Sequence, residues 1–191
     1  MLAHGEDELR HHSKHEAKSP STDTPAPTAP GPISRKSFFE TPGGAPTTVS
    51  QAVALAAERT SNLTYLTGAL VSAAATPFRQ PARVLQALLA IDAVATNWLK
   101  SLETGKSAGP LREQFRQAGF IYSADVSVTS KTSWASEYIA QYKGRSVPIG
   151  PHITLGAGSP ATCLSIHFAW CAEDKTVLIA HVGRHKPNTL A

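Results

Sequence analysis

The sequence predicts an α+β fold: an antiparallel sheet with a C-terminal β-hairpin packed on a long amphipathic helix. Two observations carry this. Val84, Leu85, Leu88, Ile91, Ala95, Trp98, Leu99 and Leu102 recur at three- and four-residue steps, the period of one helix face. Further on, Leu164, Ile166, Phe168 and Trp170 alternate with Ser165, His167 and Ala169, the period of a half-buried strand.

The long helix has punctuation at both ends. Pro81 suits a first turn, because its missing N–H has no intrahelical partner to lose. Gly105 suits the stop, because it tolerates the left-handed backbone that ends many helices. Some twenty residues give about 30 Å of helix, long enough to be the central packing element. Before it, Thr48 and Gln51 fit a capping box for a helix ending near Arg59, with Val49, Val53 and Ala56 on one face. Leu63 to Ala75 is ambiguous: a strand near Leu63–Leu70 is compatible, but its alanines also suit a helix. Pro110 opens a shorter helix, Leu111–Gln117, stopped by Gly119.

After Gly119 the apolar period changes toward strand. Phe120–Val128 mixes aromatic and β-branched residues. Trp134, Tyr138 and Tyr142 are spaced by four, which leaves both a helix over 133–142 and a strand over 137–143 open. Lys143-Gly144-Arg145 reads as a turn, and Ser146–Ile149 as its return strand. Pro148 places that strand at an edge, since proline cannot donate to a ladder. His152–Leu155 is a strand, and Gly156–Pro160 a loop. The hairpin then runs from Cys163 to Val182, turning at Cys171–Lys175. Its second strand, Thr176–Val182, is apolar on both faces and so reads as covered on both. The basic tail Arg184-His185-Lys186 follows directly.

Domain organisation follows from composition. Residues 1–47 are His-rich and then rich in Pro, Thr and Ser, with prolines at 20, 25, 27, 30, 32, 42 and 46. Such a stretch buries too little apolar surface to offset its ordering entropy, so a disordered extension is expected. A polar helix over Glu6–Lys18 would be marginal, and Phe38-Phe39 is the one apolar pair. Residues 48–191 form the single α+β domain. Charge divides the same way. The first 48 residues carry five basic and six acidic side chains, the remainder thirteen and eight. A mildly basic domain favours anionic partners.

Several classes are disfavoured. No charge-free apolar run reaches the roughly 18 residues of a membrane-spanning helix, and no signal sequence is visible; a cytoplasmic protein with no membrane partner is expected. Cys163 and Cys171 lie near opposite ends of one strand, roughly 25 Å apart, too far for a disulfide. No Gly-x-Ser-x-Gly or phosphate-cradling glycine loop is present. Four histidines, His152, His167, His181 and His185, fall in the C-terminal part. Zinc needs three or four converging ligands and these lack compact spacing, so no metal and no cofactor is expected; His167 and His181 are the pair that could share a strand face.

The segment Leu164–Phe168, through Val177–His181, to Arg184-His185-Lys186 resembles the C-terminal hairpin of RelE/HigB-type toxins, small α+β proteins that act on mRNA at the ribosome. The resemblance implies an RNA-directed toxin or defence-associated effector. It marks His181, Arg184 and His185 as catalytic candidates and Lys186 as an RNA contact. The chain departs from that pattern in carrying Ser165 where those toxins usually have arginine, and in its long helix. Lys143 and Arg145 flank a turn and are expected to add phosphate contacts, with Tyr138, Tyr142 and Trp170 as stacking surfaces. RNA or an antitoxin-like protein is the implied partner. The alternative is a non-enzymatic protein- or nucleic-acid-binding module.

Overall fold

The computed structural model describes residues 44–187, all of which fall within one compact unit. The expected extension lies outside the described residues apart from its last four positions, and so do the Glu6–Lys18 helix and the Phe38-Phe39 pair.

Helix α1 is Val49–Arg59. Thr48 Oγ1 accepts from Gln51 N at 3.2 Å, as the capping box requires, but the Gln51 side chain reaches back to the Thr47 N–H, at 2.8 Å, not to that of Thr48. The ambiguous stretch resolves into both alternatives in turn. Strand β1 is only Leu63–Tyr65, and the alanines that follow form α2, Thr67–Ala75. Helix α3, Pro81–Thr104, has proline in its first turn and Gly105 at φ +67° as its stop. It buries Val84, Leu85, Leu88, Ile91 and Ala95 completely or nearly so, while Leu102 at its far end stays exposed. Helix α4 is Leu111–Gln117.

The strand-like stretch after Gly119 contains only a short β2, Ile121–Ser123. Ser127 then accepts from Ser130 N at 3.1 Å and starts a helix, α5, Val128–Ser133. Local side-chain capping overrides the β-branched composition here. A 3₁₀ turn over Ala135–Tyr138 leads into β3, Ile139–Tyr142, so the tyrosine-spaced segment is part turn and part strand. Lys143 and Gly144, both at positive φ, turn the chain into β4, Arg145–Pro148, the backbone demanded by a two-residue hairpin. Strand β5 is His152–Gly156, β6 is Cys163–Cys171 and β7 is Thr176–Gly183.

The main sheet has the order β1-β7-β6-β5-β2, with β3 and β4 forming a separate two-stranded sheet. It is not wholly antiparallel, as the sequence suggested. β1 pairs with β7 in parallel, Leu63 opposite Val177 and Tyr65 opposite Ile179, which makes the sheet mixed. A three-residue strand whose partner lies more than a hundred positions away carries no local signal of direction.

One sheet face receives the helices. Phe168, Ile166, Leu164, Val177, Ile179 and Ile153 meet the buried stripes of α1 and α3 in one core cluster. The Trp98 and Trp170 rings lie 5.0 Å apart and tie α3 to β6, and Phe115 of α4 stacks on Tyr122 of β2 at 4.8 Å. Each large apolar side chain sealed here contributes about 1.5–3 kcal/mol. On the opposite face a smaller cluster, Ile149, Ala169, Leu178 and Ala180, is covered by Ala140, Tyr142 and Val147 of the β3–β4 hairpin.

Beyond Tyr65 the chain leaves β7, and α2 packs along the strand edge that β1 vacates. Glycine makes this possible. A Cβ at Gly68 would sit 2.8 Å from the Ala180 carbonyl oxygen, and one at Gly183 would sit 3.0 Å from Ser72. The Ser72 hydroxyl accepts from Val182 N at 2.9 Å and so replaces the missing strand partner. Ser72→Ala leaves that edge N–H unpaired, and a loss of about 1–3 kcal/mol is expected in urea unfolding. Ser133→Ala serves as the exposed control and should leave the midpoint unmoved.

Candidate functional site

The second sheet face carries polar side chains in a row. His152 of β5 is opposite His167 of β6, and His167 is opposite His181 of β7. The row depends on a β-bulge. Pairing runs His167↔His181 and then Phe168↔Ile179, so Ala180 is an extra residue in β7. Strict alternation from Ile179 would aim His181 into the helix-side core. The bulge turns it to the histidine face instead, a common use of this irregularity.

The rings are close. Centroids of His152 and His167 are 4.8 Å apart with near-parallel planes, and those of His167 and His181 are 5.8 Å apart. His185, from the tail, meets His152 edge-on at 6.5 Å, and Tyr138 lies 5.6 Å from His167. Each histidine has one ring nitrogen against a backbone carbonyl: His152 Nδ1 on Gly150 O, His167 Nδ1 on Ile149 O, His181 Nε2 on Arg184 O and His185 Nδ1 on Lys186 O, at 2.8–3.1 Å. A carbonyl can only accept, so each of these nitrogens carries the proton, and in the neutral ring the other is a bare acceptor. For His167 that acceptor, Nε2, is buried without a partner among the described residues, as is the Ser165 hydroxyl two residues before it.

Burial holds the row uncharged. It pushes the His167 pKa down to about 2, aided by the neighbouring His152 and His181, and it lowers His152 and His181 as well. Burial also raises the Cys163 thiol, which disfavours a thiolate nucleophile there. Among the described residues, no group of three or more His, Cys, Asp or Glu is placed to hold a metal ion.

The tail closes over one end of the row. Tyr138 donates its hydroxyl to Pro187 O, and Lys186 Nζ lies 3.1 Å from Glu137 Oε2. Beside this strap lies an open cleft of about 1030 Å³, lined by Glu137, Cys163, His181, Arg184, His185 and Lys186, with the glycine-rich β5–β6 loop as its far wall. Four of the six site residues marked in the sequence therefore share one cavity. Lys143 and Arg145 do not. They sit on the β3–β4 turn, where Lys143 pairs with Asp174 and Arg145 with Glu173 and Asp174 of the β6–β7 turn. Of the three aromatic candidates, Trp170 lies in the helix-side core, Tyr138 packs on His167, and half-buried Tyr142 joins the hairpin cluster. Glu137 and Tyr138 were not marked as partners of the tail. The ion pair and the phenol bond join the edge contact of His185 on His152 in holding the tail, and the sole sequence clue to them was the aromatic spacing.

No described helix is long and apolar enough to cross a membrane. The chain matches no protein-family model, no curated protein and no solved structure.

The lowered histidines set a pH dependence. In the unfolded chain a histidine takes up a proton near pH 6.5, while His167 in the folded domain stays neutral down to about 2. Below about pH 6.5 the unfolded state binds the extra proton, so stability is complete above that value and falls as pH drops, by about 1.4 kcal/mol per pH unit for this group. Unfolding midpoints should hold steady from pH 8 to 7 and decline from 6.5 to 4.5. In His167→Gln the decline should be shallower by about one proton.

Proposed function

We propose that this domain is an RNA-directed effector that works through the cleft at the end of β7. The observation that carries this reading is the meeting of two imidazoles, His181 and His185, with two cationic side chains, Arg184 and Lys186, around one open cavity. Imidazole is the side chain best suited to moving protons near neutral pH, and guanidinium and ammonium groups stabilise charge on a phosphate.

The chemistry these groups can perform is transesterification within RNA. The bare ring nitrogen of His181 takes the proton of a ribose 2′-hydroxyl. The 2′ oxygen bonds to the adjacent phosphorus, and the bond from phosphorus to the 5′ oxygen breaks. That oxygen takes a proton from His185 in its protonated form, leaving a 2′,3′-cyclic phosphate and a free 5′-hydroxyl. Arg184, exposed at the mouth, and Lys186 face the charge that grows on the non-bridging oxygens. The resemblance to RelE/HigB-type toxins supports the same substrate class and implies an antitoxin-like partner. The proposal does not extend to Lys143 and Arg145, whose charges are neutralised by neighbouring carboxylates.

One observation favours a second reading, a module that binds without turnover. The Lys186 side chain is only 12% exposed and is paired with Glu137, so it is a restrained cation. The two readings separate in one assay. Purified protein incubated with single-stranded RNA should yield fragments ending in cyclic phosphate, and His181→Ala or His185→Ala should slow the reaction by about 10²–10⁴-fold. Salt-sensitive binding with intact RNA supports the module instead. Glu137→Gln removes the competing carboxylate and should tighten RNA binding in filter retention.

A further inference from the structure

A second cavity, of about 600 Å³, opens on the other side of the tail strap. It lies between the start of α2, the 3₁₀ turn with β3, and the bulged part of β7. Glu137, His181 and Lys186 line both this cavity and the larger cleft. The two are thus lobes that meet at the groups proposed to handle the phosphate. Both are about the size of small-molecule sites.

The lining of the smaller lobe differs from that of the larger. Arg184 and His185 are absent from it. Leu66, Ile139 and Ala180 supply apolar surface, and Thr67, Ser136 and Gln141 supply polar groups at its walls. The Gln141 amide nitrogen is engaged by Ser146 at 2.9 Å, but among the described residues its carbonyl oxygen accepts no hydrogen bond, and the hydroxyls of Thr67 and Ser136 are likewise unengaged. Apolar area beside unengaged donors and acceptors matches a nucleobase, which has an apolar π face and a hydrogen-bonding edge.

We infer that the smaller lobe is a base-binding subsite, so the ligand is a stretch of at least two linked nucleotides with the phosphate between them over His181 and Lys186. This rests on the RNA-directed reading and adds to it a second place for the strand. One strand must pass the strap with a nucleoside on each side. A duplex, whose bases are already paired and stacked, cannot place a base edge against Ser136 and Gln141.

The test uses fluorescence anisotropy with 2′-O-methyl ligands, which lack the attacking hydroxyl and stay intact. The wild-type protein should bind a labelled dinucleotide at least about tenfold more tightly than the labelled mononucleotide. Ser136→Ala with Gln141→Ala should bring that ratio close to one and leave mononucleotide affinity unchanged. Both positions are exposed, so the fold should survive, and a far-ultraviolet spectrum checks it. Equal affinity of the wild type for the two ligands, or a ratio untouched by the double variant, overturns the subsite while the larger cleft keeps its role. Binding of neither ligand by the wild type overturns the RNA-directed reading and the subsite with it.

Discussion

The bulge at Ala180 is the constraint on which both faces of the sheet depend. β6 and β7 are covered on both sides, so every side chain on them must suit one buried environment or the other. Were the strand to alternate regularly through Ala180, His181 would enter the core built on Phe168 and Ile179, and Val182 would face the histidine row. Placing an imidazole among those apolar groups would cost several kcal/mol unless a partner were found. With the bulge, Val182 joins the apolar core, and His181 lies beside His167 and above the tail. The irregularity in the backbone and the polarity of the site are one structural fact.

The site itself combines restraint with an open cleft. Its histidines are held by carbonyl groups that choose which nitrogen carries the proton, and burial keeps His152, His167 and His181 neutral. His167 sits deepest, with an unsatisfied nitrogen, and is sealed by Tyr138. His181 and His185 lie where the row opens. The gradient from sealed to open gives the same residue type two environments: a packed interior at one end and the lining of an open cleft at the other.

Much of this was legible in the sequence, for reasons tied to distance along the chain. α3 announced itself through its apolar period, Pro81 and Gly105, all local signals. The β6–β7 hairpin did so through alternation and a short polar turn. His181, Arg184, His185 and Lys186 are nearly contiguous, so their sharing of a cleft needed little tertiary information. The rest depended on contacts that local patterns do not encode. Gly68 and Ser72 mark the packing of α2 on β7 only once that strand is in place. Glu137 meets Lys186 across 49 positions. Lys143 and Arg145 looked like phosphate contacts because the carboxylates that neutralise them, Glu173 and Asp174, read only as a polar turn. The bulge left no mark, since Ala180 is unremarkable in a strand.

The parallel pairing of β1 with β7 carries a consequence for how the domain forms. Thr64 and Thr176 share a hydrogen bond across 112 positions, and Asn62 O receives the Val177 N–H. The first strand therefore has no sheet to join until the last one exists. During synthesis α1 meets its main partner, α3, as soon as that helix emerges, whereas β1 and α2 wait for β7. Contacts of such long sequence separation slow the search for the native state, because loop-closure entropy is lost before the contacts reward it. The nascent chain thus passes through an interval in which the side of α2 carrying Gly68 and Ser72 is uncovered, since both meet β7 in the folded domain.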